Sequence, residues 1–176
     1  MKRAKLLWID LEMTGLDPEK DRILEVAAIA TGWDLESIKT YEGIVKVDKK
    51  IIEERMVGEF WEKNANSYKT LVAQNANGKP IQDIETDLLH FLDDNFGDIV
   101  YLAGNSIHQD RKFIDREMPE LAKRLHYRML DVSAWKIYFE NALDKKFIKP
   151  ENHRALSDIE GSINELKYYL GMIKND

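Results

Sequence analysis

Residues 5–18 read KLLWIDLEMTGLDP, an apolar run that ends in an acid and is followed by a turn. The run Lys5–Asp10 predicts a buried strand, because it is short, apolar and bounded by the turn-forming cluster Thr14–Pro18. A carboxylate at the end of such a strand needs a partner, since an unpaired charge is costly to remove from water. No Lys or Arg nearby in sequence is placed to pair with Asp10. Asp10 is therefore a candidate functional residue.

Two further strands are predicted directly after this turn, over Arg22–Thr31 and Lys39–Val47. Three closely spaced strands of this kind are typical of an antiparallel meander. The rest of the chain alternates between helical and strand-like spacing of its apolar residues. Helices are predicted at Ile51–Asn64, Tyr68–Gln74, Ile81–Asn95, Asp110–Glu117, from Pro119 and at Leu156–Met172. Strands are predicted at Ile99–Ala103 and Tyr127–Val132, and a further helix follows the second of them with Ser133 as its cap. We therefore predict one α/β domain over residues 1–176, in which helices cover a mixed five-stranded sheet of a meander plus parallel strands.

The composition is that of an ordinary globular protein, with 44% hydrophobic and 33% charged residues in a chain of 176. The chain contains no cysteine, which excludes a disulfide scaffold, a thiolate zinc site, an iron–sulfur cluster and a cysteine nucleophile. No apolar run approaches the roughly 20 residues that cross a bilayer, and the one near the N-terminus is too short for a signal peptide. We therefore expect a soluble, cytoplasmic protein.

The net charge of −6, from 26 basic and 32 acidic residues, bears on the kind of substrate. Proteins that bind long nucleic acids usually present a basic surface, because neutralising phosphates supplies much of their affinity. An acidic balance instead leaves carboxylates available for divalent metals. It also suits substrates that need few phosphate contacts.

Four acids and one histidine stand where predicted elements begin or end. Asp10 and Glu12 are two residues apart at the end of the first strand, so both carboxylates point to one face. Asp110 lies at a predicted helix start, and Asp158 lies in the first turn of the last helix, five residues after His153. Taken singly, each acid is explained as a solvated turn residue or as a helix N-terminal acid favoured by the helix dipole. His153 alone is explained as a surface loop residue.

Together these residues indicate phosphoryl-transfer chemistry. Carboxylate oxygens are the ligands that Mg²⁺ and Mn²⁺ prefer, and two such ions clamp the attacking and leaving oxygens of an in-line displacement. A histidine titrates near neutral pH and can take a proton from the attacking water. The sequence therefore predicts two divalent cations, Mg²⁺ or Mn²⁺, with His153 as the general base and four metal ligands, Asp10, Glu12, Asp110 and Asp158.

The order Asp10-x-Glu12, then Asp110, then His153 five residues before Asp158 resembles the DEDDh 3′→5′ exonucleases. Strings along nearly the whole chain are similar to the oligoribonucleases within that family: WIDLEMTGLDP (8–18), GNSIHQDR (104–111), HYRMLDVS (126–133) and HRALSDI (153–159). The resemblance implies a ribonuclease-H-like fold, a homodimer and two divalent ions. It also implies stepwise hydrolysis of very short RNAs to 5′-mononucleotides, with dinucleotides preferred.

The resemblance implies contacts to the bases of the substrate as well. Leu16 matches a residue that wedges between the two bases, and Trp61 matches an aromatic against which one base stacks. Such stacking tolerates any base. Considered without the resemblance, Leu16 is an exposed turn residue, and Trp61 is equally well explained as a helix residue packed in the core.

Further matches concern the 5′ phosphate and the dimer. Ser106, Arg128 and Ser133 match residues that cap the 5′ phosphate, and a guanidinium presents a bidentate fork to phosphate oxygens. Tyr127 matches a tyrosine that reaches the neighbouring active site across the dimer interface. Considered alone, Arg128 is explained as a member of a surface salt bridge.

Two positions depart from the pattern of the resembling bacterial enzymes. Asn66 stands where they carry a His near the 3′ base, and Ala134 stands where they carry a Thr. Neither position is a predicted metal ligand. The departures bear on the details of base and phosphate contact.

Two other functions are compatible with the acids. The first is a DEDDh nuclease for longer RNA or DNA, of the proofreading or tRNA-trimming type. The acidic net charge and the oligoribonuclease-like strings argue against it. The second is a non-catalytic metal- or nucleotide-binding module, which has no need for the complete set of four acids and a histidine.

Overall fold

Strand β1 (Ala4–Met13) lies at the centre of a five-stranded sheet in the computed structural model, which describes residues 4–148 and 154–173. The other strands are β2 (Ile23–Thr31), β3 (Ser37–Ile44), β4 (Phe96–Gly104) and β5 (Leu125–Asp131). Their order across the sheet is β3-β2-β1-β4-β5. The pairs β1–β2 and β2–β3 are antiparallel, whereas β1–β4 and β4–β5 are parallel. The predicted mixed sheet of a meander plus parallel strands is therefore confirmed.

Strand β1 is central because both of its faces are apolar. Leu7, Ile9 and Leu11 point into the core on one face of the sheet. Leu6 and Trp8 point into a second core on the opposite face. A strand with this pattern must be covered on both sides, which requires helices above and below the sheet.

Helices cover the two faces in two groups. The first face carries α1 (Lys49–Arg55), α2 (Glu59–Lys63), α3 (Ala65–Gln74), α4 (Ile81–Asn95), α5 (His108–Glu117) and α6 (Pro119–Arg124). The second face carries α7 (Val132–Ala142) and α8 (Ala155–Ile173). A 3₁₀ turn at Asn75–Asn77 follows α3. Among the described residues, no helix is both long and apolar enough to cross a membrane.

The predicted helix Ile51–Asn64 is wrong, because this segment forms two helices, α1 and α2, joined by residues 56–58. Gly58 has a φ of 94°, a conformation that glycine adopts without steric cost. The helical spacing of Ile52, Met56 and Phe60 continues across the break in the sequence, but in the structure Phe60 is exposed and Trp61 is buried in its place. Periodicity therefore does not reveal the break, although it places Trp61 on a separate short helix.

The ends of several elements differ from the prediction. Strand β1 extends to Met13, so Asp10 and Glu12 lie inside the paired strand. The prediction of Ser133 as the cap of α7 is wrong, because the side chain of Asp131 caps this helix by accepting from the Ser133 backbone N–H. An ionised carboxylate at this position is a stronger acceptor than a hydroxyl. Helix α4 has the predicted bounds, Ile81–Asn95.

Helix α6 receives its N-terminal cap from helix α4. Its N-cap residue, Met118, makes no side-chain capping hydrogen bond. The buried carboxylate of Glu85 instead accepts from the backbone N–H groups of Glu120 and Leu121, at 2.7 and 3.0 Å. This contact satisfies donors that a helix start otherwise leaves unpaired. It fastens α6 to α4.

We expect Glu85→Ala to lower the free energy of unfolding by about 1–3 kcal/mol, because two backbone donors lose their acceptor inside the protein. Glu85→Gln keeps an acceptor oxygen and is expected to lose less. Urea unfolding measures both changes. The matched control is Glu53→Ala on the exposed side of α1, for which a change within about 0.5 kcal/mol is expected. A loss for Glu85→Ala no larger than that of the control would contradict the capping role.

Candidate active site

Three carboxylates from opposite ends of the chain converge on one face of the sheet. Asp10 and Glu12 project from β1 on the same face as Trp8, which is the face that α8 covers. Asp158 comes from the first turn of α8. Oxygens of the three side chains all lie within 4.8 Å of one another. The predicted same-face pair is therefore present, and α8 brings the third acid to it.

Asp110 lies next to this group, in the first turn of α5. Its Oδ1 atom accepts a hydrogen bond from the backbone N–H of Leu11 at 3.0 Å, and the side chain is buried. Leu11 separates Asp10 from Glu12, so Asp110 is held against the same stretch of β1. The structure thus brings the fourth predicted acid to the site, although its carboxylate is not part of the three-carboxylate group.

The carboxylates are crowded, and they are partly buried or, in the case of Asp110, buried. Burial, followed by the charges of Asp158 and Glu25, raises the pKa of Glu12 to about 7. Burial also raises the pKa of Asp110 to about 7, although the hydrogen bond from Leu11 opposes this shift. Buried acids of this kind favour a proton or a cation as partner. The donor set contains only carboxylate oxygens, which fits hard divalent cations such as Mg²⁺ and Mn²⁺.

A fifth acid supports the site and was missed by the sequence analysis. Glu25 on β2 lies directly opposite Glu12 in the β1–β2 pairing and is buried. Its carboxylate accepts from the Arg154 guanidinium at 3.3 Å and from the Ala155 backbone N–H at 3.3 Å. Glu25 therefore holds the start of α8, the helix that carries Asp158. The sequence does contain a signal for it, because Glu25 interrupts the apolar run of β2 as Asp10 interrupts that of β1.

A cleft of about 480 Å³ opens beside the carboxylates. The cleft is lined by three acids, by one arginine and by mainly apolar side chains. The acids are Asp10, Glu12 and Asp158, the arginine is Arg55, and the apolar residues include Leu16, Val57, Phe60 and Trp61. A mainly apolar cavity with a few convergent polar groups is the usual form of a ligand site. The sequence does not indicate Arg55, Val57 or Phe60 as site residues, because nothing in their local pattern distinguishes them from the other residues of the predicted helix Ile51–Asn64.

Leu16 and Trp61 both line this cleft, although their environments differ. Leu16 is 71% exposed, and its backbone carbonyl accepts from Gln109 on α5. Trp61 is only 8% exposed and packs edge-on against Phe60 and Tyr68. Trp61 is thus a core residue that also lines the cleft, so its role in stacking against a base stays a prediction.

Ser106 and Ser133 come together at the ends of β4 and β5. Their hydroxyl oxygens are 3.1 Å apart, and the Ser106 backbone N–H contacts both Ser133 Oγ and Asp131 Oδ1. Ser106 has a φ of 49°, so the turn that carries it is left-handed at a non-glycine residue. Asp131, which no sequence pattern indicates as a site residue, organises the pair by accepting from the backbone N–H groups of Ser106 and Ser133.

Tyr127 and Arg128 lie exposed on β5, the edge strand of the sheet. The Arg128 guanidinium lies 5.1 Å from the centre of the Tyr127 ring. Within the described part of the chain, no hydrogen bond joins the Arg128 side chain to Ser106 or Ser133, so the three predicted phosphate contacts are not assembled into one group here. His153 lies outside the described residues. The departures Asn66 and Ala134 are both exposed, on α3 and α7.

Comparisons with known proteins agree with this geometry. Residues 7–166 match the exonuclease family RNase_T. The chain is 41% identical over 173 residues to an oligoribonuclease of Vibrio parahaemolyticus, a similarity that covers 93% of this chain and 92% of that protein. It is 37% identical over 169 residues to an oligoribonuclease of Thiobacillus denitrificans, with 93% and 92% covered. It is also 35% identical over 170 residues to a mitochondrial oligoribonuclease of Homo sapiens, with 94% and 71% covered.

Solved structures of exonuclease I share the fold. A product-bound exonuclease I aligns with a TM-score of 0.67 at 12% identity, over 94% of this chain and 43% of that chain. Escherichia coli exonuclease I in complex with a 5cy-dA13 oligonucleotide aligns with a TM-score of 0.63 at 13% identity, over 94% of this chain and 40% of that chain. This chain therefore spans less than half the length of those proteins, and at such identity the similarity confirms the ribonuclease-H-like fold alone.

The family itself follows from the sequence comparisons. The exonuclease match extends over most of the chain, and the curated relatives exceed 30% identity across nearly their full length in the bacterial cases. The chain belongs to the oligoribonuclease family of DEDDh 3′→5′ exonucleases.

Proposed function

We propose that the chain hydrolyses dinucleotides in preference to longer RNA, with two divalent cations, Mg²⁺ or Mn²⁺, and a histidine general base. As a member of the oligoribonuclease family, the chain is a 3′→5′ exoribonuclease that acts on short oligoribonucleotides. The main observation behind the proposed dinucleotide preference and cation site is that three converging carboxylates lie at the side of an apolar cleft of about 480 Å³. That combination offers a cation site beside a surface on which bases can stack.

The proposed metal ligands are Asp10, Glu12, Asp110 and Asp158. When bound, the cations supply charge stabilisation for the attacking and leaving oxygens of phosphodiester hydrolysis. Partial burial of the carboxylates lowers the effective dielectric around them, which strengthens their attraction for a cation. The hydrogen bond between Leu11 and Asp110 orients the latter carboxylate before any cation arrives.

The proposed general base is His153, one residue before Arg154. Glu25 binds Arg154 and the backbone of Ala155, which anchors the chain immediately after the histidine. In this proposal a nitrogen of the His153 imidazole accepts a proton from the attacking water.

The proposed substrate contacts divide between the bases and the 5′ phosphate. Leu16 and Trp61 contact the bases, and stacking of this kind is worth roughly 1–3 kcal/mol per base whatever the base. Ser106, Arg128 and Ser133 cap the 5′ phosphate, through two adjacent hydroxyls and a guanidinium. Because Arg128 does not contact the serines, the cap requires the guanidinium to move toward the phosphate when substrate binds.

A homodimer is part of the same proposal. Strand β5 is an edge of the sheet, and it exposes Tyr127 and Met129. Helix α7, next along the chain, exposes Ile137 and Tyr138. Exposed apolar residues beside an unpaired strand edge are typical of a protein interface. We propose that two copies pair on this surface, so that Tyr127 of each copy reaches the active site of the other. We also propose that residues 1–176 form one exonuclease domain and that the protein is cytoplasmic.

Substrate length tests the proposal most directly. With Mn²⁺ present, we expect a 5′-phosphorylated two-residue RNA to be hydrolysed with a higher kcat/KM than a twenty-residue RNA of the same base. Removing the 5′ phosphate from the short RNA is expected to cost roughly 10-fold or more in kcat/KM, the size of one charge-assisted hydrogen bond of about 1.5–3 kcal/mol. Equal or faster cleavage of the twenty-residue RNA would contradict the dinucleotide preference and favour an enzyme for long strands.

Replacing a metal ligand tests the cation site. We expect Asp158→Asn to lower kcat on the order of 10³-fold, because losing a ligand removes several kcal/mol of transition-state stabilisation. Steady-state hydrolysis of the dinucleotide measures it, and circular dichroism checks the fold. Glu160→Gln, on the exposed side of the same helix, is the matched control and should be near wild type. Near-normal rates for Asp158→Asn would rule out its role as a ligand.

Metal removal is expected to make stability depend on pH. The pKa values of Glu12 and Asp110 are both raised to about 7 in the folded chain, above their unfolded values. Stability from this pair is therefore lost as the pH rises toward 7 in the metal-free protein. Mn²⁺ binds the deprotonated carboxylates, so it should raise Tm more at about pH 8 than at about pH 5.5.

Thermal unfolding with Mn²⁺ and with a chelator measures this difference in Tm. The double variant Glu12→Gln/Asp110→Asn is the control, and it should lose both the Mn²⁺ effect and its pH dependence. A Mn²⁺-induced rise in Tm that is the same at both pH values in the wild-type protein would contradict the assignment of these acids as ligands.

A further inference from the structure

A buried carboxylate behind the cleft takes no part in the acidic group. Asp21 is 1% exposed, and each of its oxygens accepts two hydrogen bonds. Oδ1 accepts from the Thr14 hydroxyl at 3.0 Å and from Arg55 Nε at 2.8 Å. Oδ2 accepts from the Asp17 backbone N–H at 2.9 Å and from Arg55 Nη2 at 3.1 Å. Asp21 and Arg55 thus form a bidentate ion pair, and the Asp21 carboxylate also binds the turn that contains Thr14 and Asp17.

This one carboxylate joins the two segments that form the apolar walls of the cleft. Thr14 and Asp17 flank Leu16, and the turn between them lies directly on Asp21, since a Cβ on Gly15 would come 2.5 Å from the carboxylate. Arg55 is the last residue of α1, and only residues 56–58 separate it from α2, which carries Trp61. The wall of Leu16 and the wall of Trp61 are therefore fastened at a shared point.

The second wall depends on such a fastening because its helices are very short. Helix α1 has seven residues and α2 has five, and helices of this length are not stable without tertiary contacts. Gly58, with its positive φ, adds a flexible joint between them. Arg55 is the polar side chain at this joint, and it lies at the edge of the cleft with 37% of its side chain exposed.

We propose that the Asp21–Arg55 ion pair positions the Leu16 turn against the Trp61 helix and so determines how tightly the cleft holds a dinucleotide. The inference rests on the proposed function, because it takes the substrate bases to lie between these two side chains. Arg55 acts here as a positioning residue that works through the walls of the cleft. Lysine is a poor substitute, since an ammonium lacks the planar fork that bonds both carboxylate oxygens.

Arg55→Gln, Arg55→Lys, Asp21→Asn and the double variant Asp21→Asn/Arg55→Gln test this role. The readouts are KM and kcat for a 5′-phosphorylated dinucleotide with Mn²⁺, and Kd for that dinucleotide and for a 5′-mononucleotide with Ca²⁺ in place of Mn²⁺. For Arg55→Gln we expect KM and the dinucleotide Kd to rise roughly 5- to 100-fold, the size of one lost base stack. The kcat value should change little, because the lost interaction concerns binding.

Two further results distinguish positioning from a general structural role. The mononucleotide Kd should rise less than the dinucleotide Kd, because a single base does not span both walls. Arg55→Lys should recover only part of the loss. The dinucleotide Kd of the double variant should be no higher than that of whichever single variant binds more weakly, since both substitutions break the same ion pair.

Arg124→Gln is the matched control. Arg124 pairs with Asp93 at 2.8 Å and is 41% exposed, which resembles Arg55, but it lies on α6 away from the cleft. Its variant should leave KM and both Kd values unchanged. If Asp21→Asn does not fold, the Arg55 variants alone test the inference, because the Arg55 side chain is partly exposed. Thermal unfolding checks that these variants are folded.

The inference is overturned if Arg55→Gln folds and binds the dinucleotide like the wild type, or if mono- and dinucleotide affinities fall equally. Strict additivity of the Asp21 and Arg55 losses would also overturn it. Failure of the proposed function has a different signature, because the wild-type protein itself would then cleave the twenty-residue RNA as fast as the dinucleotide or faster. The two failures are therefore distinguished by the wild-type rate alone.

Discussion

Strand β1 is buried on both faces along most of its length, yet it ends in two partly buried acids, Asp10 and Glu12, and the rest of the site is arranged around them. Burial and neighbouring acids raise the pKa of Glu12 to about 7, so the folded chain disfavours its charged form until a cation or a proton is present. Helix α8 adds Asp158 to the same group and α5 holds Asp110 against the same strand. A sheet that is rigid at its centre keeps these acids close despite their repulsion.

Other buried acids serve a different purpose, which is to join segments that lie far apart in the chain. Glu25 binds the start of α8, Glu85 caps α6 from α4, and Asp21 joins the first turn to α1. Each of these carboxylates accepts several hydrogen bonds, as a buried ion must if its desolvation is to be offset. Part of the acidic excess of this chain is therefore structural, and it gives the site and the cleft their fixed positions.

The cleft combines two kinds of surface that complement each other. Carboxylates on one side attract cations, and a cation site lets a chain of net charge −6 act on an anionic substrate. Apolar side chains, including Leu16 and Trp61, line the other side, and stacking on such a surface would not depend on base identity. In the proposed function, affinity comes from stacking and chemistry from the bound cations, so a long basic groove is not needed.

The sequence by itself determined the mixed sheet, the α4 helix and the identity of the acids, because alternation and spacing are properties of residues that are neighbours in the chain. It did not reveal the break at Gly58, since the apolar spacing runs through it. Only the tertiary structure decided which other acids act as anchors, as with Glu25 and Asp21. The partners of those two acids, Arg154 and Arg55, lie 129 and 34 residues away. A buried carboxylate takes its role from the donor that reaches it, and at such separations the folded chain alone determines that donor.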